Sequence, residues 1–274
     1  MKLLSFRRPD GSASWGAVIE GGVADLSARA PSLRHALADG VALDAAHADF
    51  PLDAIRFLPP IPDPDKILCV GLNYMTHIRE GGREPPAKPI IFTRFANTQV
   101  GHLEPLIRPR ASETLDFEGE VAVVIGRRCR HVPRAGAMSV VAGYSCYNDG
   151  SVREWQRHTS QFTPGKNFVH TGGFGPWLVT PDETGPIERA TLITRLNGEE
   201  MQRAGVDDLV FDVPALIEYC STFTELVPGD VIVTGTTGGV GAYRTPPLWM
   251  KPGDVVEVEV TSVGVLRNTI EDEA

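Results

Sequence analysis

The sequence predicts a β-rich α+β fold with a small β module at its N-terminus. Three observations lead there. Glycine (28) and proline (22) are abundant among the 274 residues, while aromatic residues make up only 7%. Short apolar runs bounded by turn residues recur along the chain, and helical spacing is confined to a few brief segments. Strands and helices do not alternate regularly, so a parallel doubly wound sheet is not expected.

The elements follow in order. LLSF, WGAVI and VADL, separated by Pro9-Asp10-Gly11 and Gly21-Gly22, read as the strands of the module. Ser32 precedes LRHALAD, in which Leu33, Ala36 and Leu37 share one helical face, so a short helix capped by Ser32 is expected. The stretch PPIPDPDK, residues 59–66, carries four prolines. Proline imposes an extended backbone and removes hydrogen-bond donors, so the stretch reads as a linker between an N-terminal module, 1–60, and a catalytic domain, 61–274. Beyond it ILCV, PIIFTR, VAVVIG, PWLVT, LITRL, DVIVTG, DVVEVEV and VGVLRN read as strands, with helical patterns at 134–142, 151–158 and 213–222.

Composition narrows the function. Thirty-five acidic against 26 basic residues leave a net charge of -9, which argues against nucleic acid as a partner and for a small molecule. The opening MKLLSFRRPDG lacks the apolar core of a signal peptide, and no run approaches the roughly 18 apolar residues of a membrane span, so a cytoplasmic location is expected. Cys69, Cys129, Cys146 and Cys220 lie far apart with no C-x-x-C pair, which fits free thiols in a reducing compartment.

The chemistry concentrates in acids that run into apolar strands. Leu115-Asp116-Phe117-Glu118-Gly119-Glu120 leads into VAVVIG, and residues two apart on a strand face the same way, which sets Glu118 beside Glu120. Near a buried strand two such charges repel and resist ionising unless a cation lies between them. A third acid, Asp149, ends the mostly apolar AGYSCYND. Three hard oxygen donors suit Mg²⁺, Mn²⁺ or Ca²⁺. Taken alone, an E-x-E pattern more often marks a solvated strand end, and the third acid shifts that balance.

These residues belong to an ordered series, KILCVGLNYMTHIRE, LDFEGEVAVVIG, YNDGSVREWQ, TPGKNF, GPWLVT, RLNGE, PGDVIVTGTTGGVG and KPGDVVEVEV, which spans Lys66 to Asn268. The series resembles the fumarylacetoacetate hydrolase family, in its acylpyruvase-like and hydroxyheptadienedioate isomerase-like branch. The resemblance implies a mixed β-sandwich roll, a homodimer, and one Mg²⁺ held by Glu118, Glu120 and Asp149. It also implies a His77/Glu80 pair on a lid helix, where the i, i+3 spacing lets the carboxylate orient the imidazole as a base. Lys166 in TPGKNF matches the family's lysine near the metal.

Arg153 and Gln156 fall at polar-anchor positions, where substrate binding and local helix packing both remain open. Thr236 lies in a glycine-rich loop whose amides can hold a carboxylate, or whose glycines serve only a tight turn. Arg94 stands where relatives carry lysine, and an arginine fork there suggests a grip on the far end of the substrate. Gly150, Thr237 and Gly239 also depart from the family pattern.

The implied activity is metal-dependent hydrolysis of a carbon–carbon bond in an acylpyruvate or related 1,3-dioxo acid. In it His77/Glu80 activates water, and Lys166, Arg153 or Gln156 steadies the oxyanion. The alternative is isomerisation or decarboxylation of a 2-oxo or 2-hydroxy diacid through the same enolate. A non-catalytic metal-dependent binding protein is the reading from another class, and it has no use for His77-x-x-Glu80.

Overall fold

The computed structural model describes residues Met1–Ala274. Its centre is an 11-stranded sheet. Across it run Gly22–Asp25, Ala13–Ile19, Lys2–Arg7, Gly172–Val179, Val141–Asn148, Gly119–Ile125, Val231–Val233, Ile67–Gly71 and Ile90–Arg94. Two short strands join the sides of this path. Pairing along the path is antiparallel except between Val231–Val233 and Ile67–Gly71. The N-terminal module extends this sheet, with Lys2 opposite Val179 and Leu3 opposite Leu178. Pro60 in the proline stretch accepts a hydrogen bond from Ser5 Oγ through its carbonyl, and Ile61 is buried in the core behind the sheet.

A second sheet of five strands, Glu199–Gly205, Thr191–Leu196, Val255–Val260, Gly264–Asp272 and Leu106–Arg108, packs against the first. Between them lies the largest core, which takes Val121, Val123 and Ile125 from one sheet and Leu192, Val258 and Leu266 from the other. Ala122 and Val124 join a separate core on the opposite face, with Trp15, Leu33 and Tyr147. Both faces of Gly119–Ile125 are therefore covered, which is why VAVVI is apolar without alternation. Mixed sheets, two layers and few helices match the β-rich α+β expectation.

Local signals act as the sequence suggests in two helices. Ser32 Oγ accepts from His35 N at the start of Leu33–Asp39, and Gly40 closes that helix at φ 61°. Asp212 accepts from Ala215 N at the start of Val213–Phe223, whose buried face enters the main core. The other two helical patterns are shorter than expected. Residues Arg134–Val140 form a 3₁₀ helix, because Pro133 and Gly136 favour a tight turn before the strand at Val141. In 151–158, Ser151–Val152 pairs with Leu115–Asp116 and leaves only Arg153–Gln156 helical. No helix is long and apolar enough to cross a membrane.

Candidate active site

One antiparallel pair assembles the acids. Register sets Glu120 opposite Tyr147 and Gly119 opposite Asn148. Asp149 N donates to Glu118 O at 2.8 Å, and Asn148 Oδ1 accepts from Glu118 N at 3.0 Å. Glu118, Glu120 and Asp149 are 5%, 2% and 0% exposed, and one ligand oxygen from each lies within 4.8 Å of the others.

Three buried cations surround the cluster. Lys166 Nζ donates to Glu118 Oε2 and to Asp149 Oδ2, both at 2.6 Å. Arg153 Nη1 meets Glu118 Oε1 at 2.6 Å, and its Nε donates to Asp116 Oδ2 at 2.7 Å. Arg94 Nη1 donates to Asp149 Oδ1 at 2.6 Å, while the rest of its fork reaches the Gly150 carbonyl, Thr171 Oγ1 and Thr98 Oγ1. Glu120 differs from the other ligands in having no cation of its own. Its Oε2 accepts from Gly235 N at 2.5 Å.

The titration directions follow from this arrangement. Burial pushes the Glu118 carboxyl up, but Arg153 and Lys166 outweigh it and hold the group at about 2. Burial also pushes Glu120 up, the neighbouring Asp149 and Glu118 charges push it the same way, and Lys166 and the Gly235 amide offset only part, so it lies well above the carboxylate range. Lys166 loses by burial and gains more from Asp149 and Glu118, so its ammonium is stabilised. The acids thus lack one partner charge at Glu120, within a set of hard oxygen donors. A divalent cation fits that deficit.

The cluster opens into a cavity of about 400 Å³, whose walls include Glu118, Glu120, Lys166, Arg153, Gln156 and Thr236. His77 enters from the helix Met75–Glu80, with Nδ1 3.3 Å from Glu80 Oε2. Glu80 Oε1 accepts from Gly239 N at 2.9 Å, and Thr76 Oγ1 lies 2.9 Å from Thr237 Oγ1. Thr237 and Gly239, departures from the family pattern, are thus the points where the glycine loop meets the His77 helix. Gly239 stands at φ 100°, and a Cβ there would lie 2.2 Å from Met201 O.

Of the sequence-predicted substrate contacts, Arg153, Gln156 and Thr236 line the cavity and Arg94 does not. Arg94 is fully buried behind Asp149, with its donors taken by protein acceptors. The amides of the glycine loop hold the chain's own acids, with Gly235 on Glu120, Gly239 on Glu80, and Gly241 and Ala242 on Asp116. Thr236 Oγ1 donates to Gly119 O and accepts from Gln202 Nε2. Gln156 Oε1 accepts from Arg153 Nη1.

Four residues at or beside the site have no role assigned from the sequence motifs. Asp116 is fully buried behind Arg153, Tyr243 packs its ring 5.7 Å from that of His77, and Arg83 and Arg157 line the cavity's exposed rim. The one available signal was Asp116 itself, in an i, i+2, i+4 run with Glu118 and Glu120.

The profile described as fumarylacetoacetate (FAA) hydrolase, C-terminal, matches residues 66–271. The mitochondrial oxaloacetate tautomerase of Bos taurus is 38% identical over 264 residues, covering 91% of this chain and 84% of the relative. Among solved structures, the fumarylacetoacetate hydrolase from psychrophilic Exiguobacterium antarcticum aligns with TM-score 0.89 at 33% identity and covers all of both chains. The maleylpyruvate hydrolase from Sphingobium sp. SYK-6, solved with manganese(II) and pyruvate, aligns with TM-score 0.81 at 25% identity, again over all of both chains.

Proposed function

Because the chain belongs to the fumarylacetoacetate hydrolase family, a family of enzymes, we propose that it interconverts the keto and enol forms of a short 2-oxo diacid of the oxaloacetate class. The observation that carries this reading is the 38% identity to an oxaloacetate tautomerase across 91% of the chain. It moves the isomerase alternative ahead of carbon–carbon hydrolysis, which the motifs had put first.

The site suits the reaction. Bound among Glu118, Glu120 and Asp149, a divalent ion would act as a Lewis acid on the ketone oxygen. Tautomerisation then asks the protein for one base, a fixed substrate and a sink for negative charge. Glu80 holds His77 at Nδ1, which assigns the proton there and leaves Nε2 to take a proton from the carbon next to the ketone and return it to oxygen. Tyr243 covers the imidazole. Arg153, whose Nη2 has no protein partner, supplies a donor for substrate oxygen, and Arg83 and Arg157 at the rim supply positive charge for a second carboxylate.

The test follows the ultraviolet absorbance of oxaloacetate enol with Mg²⁺ and with EDTA. Expected is a metal-dependent acceleration that falls by roughly 10²- to 10⁴-fold in His77→Asn. No acceleration of oxaloacetate by the metal-loaded protein, alongside cleavage of an acylpyruvate, would overturn it in favour of hydrolysis. That second reading has its own support in the likeness to the maleylpyruvate hydrolase.

A further inference from the structure

We propose that Asp116 is a positioning residue that fixes two walls of the cavity, the Arg153 side chain and the turn carrying Tyr243, from one buried carboxylate. The inference rests on this cavity being the substrate site, whichever of the two reactions it runs.

Asp116 is 0% exposed and gathers four donors. Oδ1 accepts from Phe117 N and Gly241 N, each at 2.8 Å, and Oδ2 accepts from Ala242 N at 2.9 Å and Arg153 Nε at 2.7 Å. Two of these donors lie 125 and 126 residues away in sequence and one lies 37 away, so the carboxylate joins segments that no local structure would hold together. A hydrogen bond from a charged donor to a buried carboxylate is among the stronger ones, and leaving such an acceptor unmet is costly.

The Arg153 arm acts through planarity. Nε is fixed on Asp116 and Nη1 on Glu118 Oε1 and Gln156 Oε1, and a guanidinium held at two nitrogens has no remaining freedom of orientation. Its Nη2 is buried and has no acceptor in the protein, although Arg153 lines the cavity. No protein acceptor meets that donor, which leaves it for an oxygen that arrives with a ligand. Without Asp116 the fork can turn and pair both its ends with Glu118.

The second arm is the turn Gly241–Tyr243. A Cβ at Gly241 would sit 1.9 Å from Leu248 O and 2.6 Å from Asp116 Oδ1, so only glycine allows the backbone this close to the acid. At the end of the turn the Tyr243 ring faces His77, and its hydroxyl lies 3.3 Å from where a Gly81 Cβ would stand, at the end of the His77 helix. Asp116 therefore sets the roof over the imidazole as well as the anion-binding arm.

The two arms make separable predictions, read on the Mn²⁺-loaded protein with oxalate as a planar dianion probe. Asp116→Asn puts an N–H against one of its present donors. It is expected to leave Mn²⁺ affinity within about threefold, weaken oxalate by about tenfold or more, and raise KM more than it lowers kcat. Tyr243→Leu removes the ring that the turn carries and leaves all four donors of Asp116, Arg153 among them, in place. It is expected to lower kcat about tenfold on whichever reaction the wild type catalyses, with oxalate affinity within about threefold. Unchanged oxalate affinity and KM in a folded Asp116→Asn protein would overturn the first arm. Unchanged kcat in Tyr243→Leu would overturn the second, even if Asp116→Asn fails to fold. Oxalate binding does not depend on the reaction, so a wrong substrate assignment would leave that measurement standing.

Discussion

Two charged networks in this molecule are built from the same residue types to different ends. Near the N-terminus Arg8 Nε donates to Asp25 Oδ2 at 2.7 Å, and Ser14 Oγ and Ser27 N donate to Oδ1 of the same acid. One acid meets one base, and small hydroxyls take up what is left. Beside and behind the cavity Asp116, Glu118, Glu120 and Asp149 face Arg94, Arg153 and Lys166, four acids against three bases. The first network closes its charge. The second leaves Glu120 over, and that unmatched carboxylate distinguishes an arrangement that binds from one that only folds.

The comparison can be broken most directly at Glu120. In the metal-free protein its raised folded value means the unfolded chain loses that proton first, so stability falls as pH rises above the ordinary 4.5. Glu120→Gln should remove that fall and make the metal-free protein more stable at neutral pH in urea unfolding. The same variant should weaken Mn²⁺ binding by about 100-fold or more and reduce turnover in step. A variant that kept both would show that the odd acid is not what the site is built around.

Lys166 sharpens the contrast next. Lys166→Met leaves Glu118 and Asp149 without the ammonium between them, at a cost of about 3–5 kcal/mol in the metal-free protein. Saturating Mn²⁺ should restore part of the loss in the same unfolding measurement. Equal destabilisation with and without the ion would mean the lysine supports packing alone.

The smallest effect belongs to the closed network. Burial pushes Asp25 up, but Arg8, Ser27 and Ser14 together hold it down to about 2. Its contribution is complete above the ordinary 3.8 and disappears as pH falls through about 2. Asp25→Asn should therefore flatten the acid limb of the stability curve over that window. It should cost no more than about 1 kcal/mol at neutral pH, because the pair is partly solvated, and leave turnover unchanged.

How much of this was legible in the sequence follows from how local each cause is. Glu120 lies in a strand that Glu118 immediately precedes, and His77 and Glu80 share a helix turn, so spacing alone sets each pair together. The two-layer β-rich architecture follows from apolar runs and turn residues in the same way. Arg94 defeated the reading because its acceptors at 149, 150 and 171 are brought to it only by the folded sheet, which turns an arginine fork from the substrate toward Asp149. Asp116 was passed over for a like reason, since it reads as the polar start of a strand until residues 241 and 242 fold back onto it. Sequence leaves the glycine loop open between a cradle for a carboxylate and a tight turn, because the acids its amides meet, Glu120 and Glu80, are brought to it only by the fold. Hydrolysis and tautomerisation ask for the same acids and the same imidazole, so the His77/Glu80 motif that puts hydrolysis first does not separate the two.

All three acids gather at the open end of a single antiparallel pair, Gly119–Ile125 with Val141–Asn148, Glu120 within it and Glu118 and Asp149 one residue beyond it, while the connection through 126–140 closes the other end. That connection can be lengthened among its exposed positions without displacing an acid, because the intervening ladder fixes the spacing. A single residue inserted between Glu118 and Glu120 would send one of them to the opposite face and dismantle the cluster. Variation in this chain is thus cheap at one end of a seven-residue strand and ruinous at the other.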